Sequence, residues 1–167
     1  MIIRPLPAGV TGTHEPSYDA IHTACVQFVN HYQSMYGKPE VVVGVARGGL
    51  IPAVIISHCL NVPLKAVEYS SSKGKGDDKN HVNALPMFDI NKKRPLLIVD
   101  DICDSGHTLK EIVEYYRQQG YLVHDFALFF KRRDEVVHYP TIAWVSINED
   151  SPWVIFPYEK TEGVYDV

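Results

Sequence analysis

The chain has 167 residues, of which 46% are hydrophobic and 22% charged, and its formal net charge is -4 at pH 7. This length suits one domain with a sizeable core, and the acidic balance gives no electrostatic case for binding nucleic acid. No apolar run is long enough to cross a bilayer, and three scattered cysteines argue against a disulfide scaffold or a zinc site. We therefore expect one cytoplasmic domain spanning residues 1–167.

The first half of the chain predicts a helix followed by a buried strand. Ser17 is the expected N-cap of a helix whose apolar residues recur at helical spacing, and Gly37 ends that pattern. The β-branched run Val41–Val45 is typical of a central parallel strand. A second helix is expected from about Leu50.

Between that strand and helix lies Ala46-Arg47-Gly48-Gly49. Gly48 permits an unusual backbone and Arg47 offers a charged fork, so the segment is a candidate anion site. The alternative is a tight turn with no ligand.

A strand predicted over Val62–Val67 is followed by a polar stretch rich in Gly and Ser, at about residues 69–82. It cannot bury much apolar area, so we expect it to be mobile. It is either a lid that closes over reacting groups or an inert surface loop.

The most informative stretch is Leu96–Leu109, which predicts a strand ending at Asp100 and Asp101, then a tight loop and a helix. The helix is predicted because apolar residues recur at helical spacing, and these form its expected buried face: Leu109, Ile112, Val113 and Tyr116. Open α/β sheets bind ligands at the carboxyl ends of their strands. The hydroxyls of Ser105 and Thr108, with the free amides that open the helix, suit a phosphate. The three carboxylates, which include Asp104, need hydroxyls, a metal or a developing cation instead. The alternative is a helix N-terminus carrying favourable charge.

The last third predicts a strand over Leu122–Phe130 with Lys131 at its carboxyl end, a short strand over Ile142–Val145, and an aromatic loop at about 148–159. Lys131 also begins a short basic run that ends at Arg133 and is too short to form a basic face. Trp153 offers a flat face on which a planar heterocycle could stack. Alternatively, the aromatic residues of this loop cap the core.

The ordered segment Leu96–Leu109 closely resembles the phosphoribosyl-pyrophosphate signature of the type I phosphoribosyltransferases, with Ser105 where Thr is commoner. The segment Ala46–Pro52 resembles the pyrophosphate-binding loop of the same family, with Ala46 replacing a Ser. This resemblance implies an α/β type I phosphoribosyltransferase fold, in which helices flank a central, mostly parallel sheet and a small hood region is added.

The resemblance also implies an activity: transfer of ribose 5-phosphate from 5-phosphoribosyl 1-pyrophosphate to a 6-oxopurine, in purine salvage. It implies Asp104 as the catalytic base and Mg2+ held by Asp101 and Glu159. The implied substrate-binding residues are Arg47, Gly48, Asp100, Asp101, Ser105, Gly106, His107, Thr108, Lys131, Trp153 and Val154. His107 lies within the phosphate loop, but its position varies within the family, so its side chain is assigned no role. A homodimer or homotetramer is the expected assembly.

Two other functions remain open at this point. One is a non-catalytic regulator that senses phosphoribosyl pyrophosphate, although no basic face or added DNA-binding element is evident. The other is a phosphoribosyltransferase for a pyrimidine or orotate. Lys131 and Trp153 favour a 6-oxopurine, because a buried ammonium donor pairs with a 6-oxo group and not with the amino group of adenine.

Overall fold

The structure, a computed structural model, describes residues 4–5, 15–69, 85–148, 150–151 and 153–159. Its elements in chain order are β1 (Arg4–Pro5), α1 (Tyr18–Tyr36), β2 (Val41–Ala46), α2 (Leu50–Leu60), β3 (Leu64–Glu68), β4 (Leu96–Cys103), α3 (His107–Gln118), β5 (Val123–Lys131) and β6 (Ile142–Ile147). The predicted mobile loop lies outside the described residues except for Tyr69. Within the described ranges, no helix combines the length and the apolar character needed to cross a membrane.

The strands form one parallel sheet in the order β1-β6-β5-β4-β2-β3. The chain leaves β2 through α2 toward β3, whereas it leaves β4 through α3 toward β5, on the opposite side. Because such crossovers are right-handed, helices reached in opposite directions cover opposite faces of the sheet. The strand order therefore reverses between β2 and β4.

The core follows from this arrangement. Alternate residues of the buried strands point to opposite faces, so Val42 packs with α1 and α2 whereas Val41 and Val43 pack with α3. On one face the buried residues of α1 include Phe28, which stacks on Phe126 of β5 with ring centroids 3.9 Å apart. Both faces of the sheet are covered, as its continuous apolar strands predict.

The residues Ser17 and Gly37 correctly predicted the two ends of α1. The Ser17 hydroxyl accepts a hydrogen bond from the amide of Ala20 at 3.1 Å, which caps α1. Gly37 ends that helix with a φ of 73°, a left-handed value that glycine adopts readily.

The predicted end of the central strand was wrong. Asp100 and Asp101 belong to β4, which continues to Cys103 because β5 pairs with it as far as Cys103 and Phe130. The strand thus carries its acidic pair inside the sheet, and only Asp104 and the residues after it form the loop.

Candidate active site

Two loops meet where the strand order reverses, at the carboxyl ends of β2 and β4. Residues 47–49 follow β2 and come so close to β4 that a β-carbon added at Gly48 would overlap the carboxylate of Asp101. Only glycine fits this close approach. The peptide bond that leads into this loop, Ala46–Arg47, is cis. The crevice at such a reversal is the usual ligand site of open α/β sheets.

The acidic pair at this point is buried and held by hydrogen bonds. Oδ1 of Asp100 accepts from the amide of Asp101 at 3.0 Å, and Oδ1 of Asp101 accepts from the amide of Ile102 at 2.8 Å. Oδ2 of Asp101 accepts from the hydroxyl of Tyr158 at 3.0 Å. The chain supplies hydrogen bonds here but no ion pair to either carboxylate among the described residues.

Burial raises the pKa of Asp100 well above its usual range, and the adjacent charge of Asp101 raises it further. Burial also raises the pKa of Asp101, whereas the hydrogen bond from Tyr158 lowers it. Two carboxylates that resist ionisation at the same place favour a cation or sugar hydroxyls as partners.

A cleft of about 720 Å³ opens at the acidic pair. Its lining includes Arg47, Gly48, Asp100, Asp101, Tyr69, Thr108, Tyr158 and Glu159. A smaller concavity of about 80 Å³ lies beside it and is lined by Asp100, Ile102, Cys103, Asp104, Ser105, Gly106, His107, Thr108 and Leu109. The structure therefore brings together the pyrophosphate-type loop (residues 47–49), the acidic pair of Asp100 and Asp101, and the phosphate-type loop (residues 104–108).

The phosphate-type loop is shaped by a glycine under a second segment. Gly106 has a φ of 84°, and a β-carbon there would lie 2.5 Å from the carbonyl oxygen of His138. The amide of Val137 donates to the carbonyl of Ser105 at 3.0 Å. His138 is itself held by a 2.7 Å contact between its Nε2 and Oδ2 of the buried Asp125. The segment after β5 therefore supports this loop, which motif reasoning did not reveal.

Asp104, the predicted base, lies in the same loop with its side chain partly exposed. Its Oδ1 is 2.7 Å from Nη2 of Arg133. The sequence showed Arg133 only as the end of a short basic run, and its partner depends on the course of the chain after β5.

The residues predicted to bind a base lie at the end of β5 and in the loop after β6. Lys131 is buried, with 8% of its surface exposed, and its Nζ is 5.8 Å from the centroid of the Trp153 ring. Trp153 is 51% exposed, whereas Val154 and Phe156 are buried. Phe156 thus caps the core, as the alternative predicts, whereas about half of the surface of Trp153 is exposed. Neither Lys131 nor Trp153 lines the larger cleft.

Three acidic side chains, those of Asp100, Asp101 and Glu159, line the larger cleft. The charge of Glu159 contributes to raising the pKa of Asp101, and its Oε2 accepts from the amide of Phe156 at 3.1 Å. Among the described residues, no three His, Cys, Asp or Glu side chains are close enough to form a metal site by themselves. This donor set fits Mg2+, which commonly takes one or two carboxylates together with substrate phosphate oxygens and water.

Tyr69 reaches the cleft from the end of β3. Its hydroxyl donates to Oε2 of Glu111 on α3 at 2.5 Å, so its side chain is fixed where the predicted mobile loop begins. The periodicity of α3 had predicted its buried face but gave no role to Glu111.

Comparisons with known proteins agree with this geometry. The phosphoribosyl transferase domain family matches residues 13–161. A xanthine-guanine phosphoribosyltransferase of Roseobacter denitrificans is 30% identical over 130 residues, which cover 74% of this chain and 70% of that protein. A transcriptional regulator, GfcR, of Methanospirillum hungatei is 28% identical over 95 residues, or 57% of this chain and 47% of the regulator.

Among solved structures, a purine phosphoribosyltransferase from Pyrococcus horikoshii superimposes with a TM-score of 0.68 at 28% identity, covering 87% of this chain and 93% of that one. The predicted α/β fold is thereby confirmed. With its parallel sheet, its two loops at the strand-order reversal and a domain match over most of its length, this chain belongs to the type I phosphoribosyltransferase family.

Proposed function

We propose that the chain transfers ribose 5-phosphate from 5-phosphoribosyl 1-pyrophosphate to a 6-oxopurine (hypoxanthine, guanine or xanthine), giving the nucleoside monophosphate and pyrophosphate, in purine salvage. The observation that carries the proposal is the meeting of residues 47–49 and residues 104–108 at the buried acidic pair. Lys131 stands at the end of the neighbouring strand β5, and the exposed ring of Trp153, from the loop after β6, lies 5.8 Å from its ammonium. The purine phosphoribosyltransferases among its relatives support the choice of base.

At the phosphoribosyl end, the loop of residues 104–108 would anchor the 5'-phosphate through backbone amides at the start of α3 and the hydroxyls of Ser105 and Thr108. Arg47 and Gly48 would cradle the pyrophosphate. The carboxylates of Asp100 and Asp101 would hold the ribose hydroxyls, and their charge would favour the positive charge that develops on the ribose as the pyrophosphate leaves.

At the base end, Trp153 would stack on the purine and Lys131 would donate to its 6-oxo group. Backbone groups at Val154 would meet the edge of the base. Asp104 would take the proton from N7 as N9 bonds to the ribose, and Arg133 would have to release part of that carboxylate for it to do so.

Mg2+ held by Asp101 and Glu159 would neutralise charge on the pyrophosphate leaving group. These roles depend on hard oxygen donors, which the cleft provides. We also propose a cytoplasmic homodimer or homotetramer, on the resemblance to the family.

The test is pyrophosphate release from phosphoribosyl pyrophosphate and Mg2+ with a panel of free bases: hypoxanthine, guanine, xanthine, adenine, uracil and orotate. We expect release with at least one 6-oxopurine and none with adenine, uracil or orotate. Release with orotate or uracil alone would replace the proposal by a pyrimidine reaction.

The likeness to a transcriptional regulator favours one second candidate, a non-catalytic sensor of phosphoribosyl pyrophosphate. In that case calorimetry would detect binding of phosphoribosyl pyrophosphate, while no base in the panel would give pyrophosphate. The presence of Asp104 favours catalysis, because a sensor needs no residue that accepts a proton from the substrate.

A further inference from the structure

Tyr158 links two parts of the site that are far apart in sequence. Its hydroxyl donates to Oδ2 of Asp101 at 3.0 Å, across a separation of 57 residues. The other oxygen, Oδ1, already accepts from the amide of Ile102. The carboxylate of Asp101 is therefore fixed at both oxygens. One hydrogen bond comes from within β4, and the other comes from Tyr158.

The ring that carries this hydroxyl is itself fixed. Tyr158 stacks on Phe156 with centroids 5.0 Å apart and an interplanar angle of 10°. Phe156 is buried and packs edge to face on Phe129 of β5, at 5.6 Å and 74°. The loop that bears Trp153 is thus joined through a short aromatic stack both to β5, near Lys131, and to the acidic pair.

Close packing alone does not explain a tyrosine here. The stack would be filled equally well by phenylalanine, which the chain uses directly beneath Tyr158. The hydroxyl instead lies at the cleft, where it donates to one of two buried carboxylates, and a buried polar group left without its partner costs free energy.

We propose that Tyr158 is a positioning residue: it sets the orientation of the Asp101 carboxylate for phosphoribosyl pyrophosphate. The proposal rests on the function proposed above. Because the hydroxyl of Tyr158 contacts Asp101, its loss should alter the affinity for phosphoribosyl pyrophosphate far more than the affinity for the base.

The test is Tyr158→Phe, which removes one oxygen and keeps the stacked ring. We expect the Kd of phosphoribosyl pyrophosphate with Mg2+, measured by calorimetry without a base, to rise about tenfold. The KM of phosphoribosyl pyrophosphate should rise similarly, while the KM of the base at saturating phosphoribosyl pyrophosphate changes less than twofold. The matched control is Tyr139→Phe, since Tyr139 is 53% exposed and its ring packs on Phe130; it should match the wild type.

A double-mutant cycle with Asp101→Ala shows whether Tyr158 acts through Asp101. If it does, Tyr158→Phe should change the Kd less than twofold once the carboxylate is gone. The proposal would be overturned if the two substitutions raised the Kd independently, so that the increase in the double mutant is the product of the two single increases. It would also be overturned if Tyr158→Phe left both the Kd and the Tm unchanged. Failure of the proposed function is seen separately, as wild-type protein that releases no pyrophosphate with any base, and the binding measurements still decide the role of Tyr158 in that case.

Discussion

The two ends of the candidate site are built differently. At the phosphoribosyl end the acidic pair is buried inside β4, each carboxylate accepts a backbone hydrogen bond, and Gly48 packs against one of them. At the base end Trp153 is half exposed, and the ammonium of Lys131 lies 5.8 Å from the centroid of its ring. One end is preformed, whereas the other is open to solvent.

This difference indicates where binding energy would be used. A preformed end loses little conformational entropy when its ligand arrives, whereas an exposed ring must be ordered by the ligand that stacks on it. Substitutions at the preformed end should therefore affect turnover and phosphoribosyl pyrophosphate, and those at the open end should affect the choice and affinity of the base.

The largest effect is expected from Asp104→Asn. The amide cannot take the N7 proton, so kcat should fall by about two to four decades. Since an amide oxygen still accepts from Arg133, the Tm should stay close to that of the wild type. Asp134→Asn, an exposed neighbour, is the control. Turnover that survives Asp104→Asn would remove Asp104 as the base.

Lys131→Met should have the next largest effect, at the open end. It keeps an apolar stem but removes the ammonium donor, so kcat/KM for a 6-oxopurine should fall about ten- to a hundredfold, while the Kd of phosphoribosyl pyrophosphate stays the same. The control is Arg132→Met, because Arg132 is exposed. Equal losses for base and phosphoribosyl pyrophosphate would contradict the assigned role.

Trp153→Ala should raise the KM of the purine about tenfold, since stacking on an aromatic ring contributes about 1–3 kcal/mol per base. Because about half of its surface is covered, its removal should also lower the free energy of unfolding, by roughly 1–2 kcal/mol. Trp153→Phe keeps a flat face and should recover most of the affinity. A loss of stability without a change in KM would mean that the ring serves packing after all.

The sequence predicted the features of the fold that depend on residues close to each other in the chain. Ser17 and Gly37 bounded α1 correctly, and the apolar spacing of Leu109, Ile112 and Tyr116 gave the buried face of α3. Such features follow from local hydrogen bonding and side-chain periodicity.

Contacts between distant segments could not be predicted in this way. The extension of β4 to Cys103 depends on its pairing with β5. The ion pair between Asp104 and Arg133 and the hydrogen bond from Tyr158 depend on how the chain returns after β5 and β6. Residue spacing carries no information about such long-range neighbours, so these residues were noticed only as a basic run and as core aromatics.

The smallest effect is expected on stability. It tests whether burial of the acidic pair lowers the free energy of unfolding. Asp100→Asn keeps an oxygen that accepts from the amide of Asp101 but cannot ionise, so without ligand it should raise the free energy of unfolding at neutral pH by about 1 kcal/mol while turnover falls. The folded-state pKa of Asp100 is raised above its unfolded value by burial, so its favourable contribution is complete at acid pH and is lost as the pH rises. Urea unfolding should therefore show variant and wild type converging below about pH 4, near the ordinary pKa of an aspartate, and separating toward pH 7. A constant difference across this range would mean that burial of the charge is not what the substitution relieves.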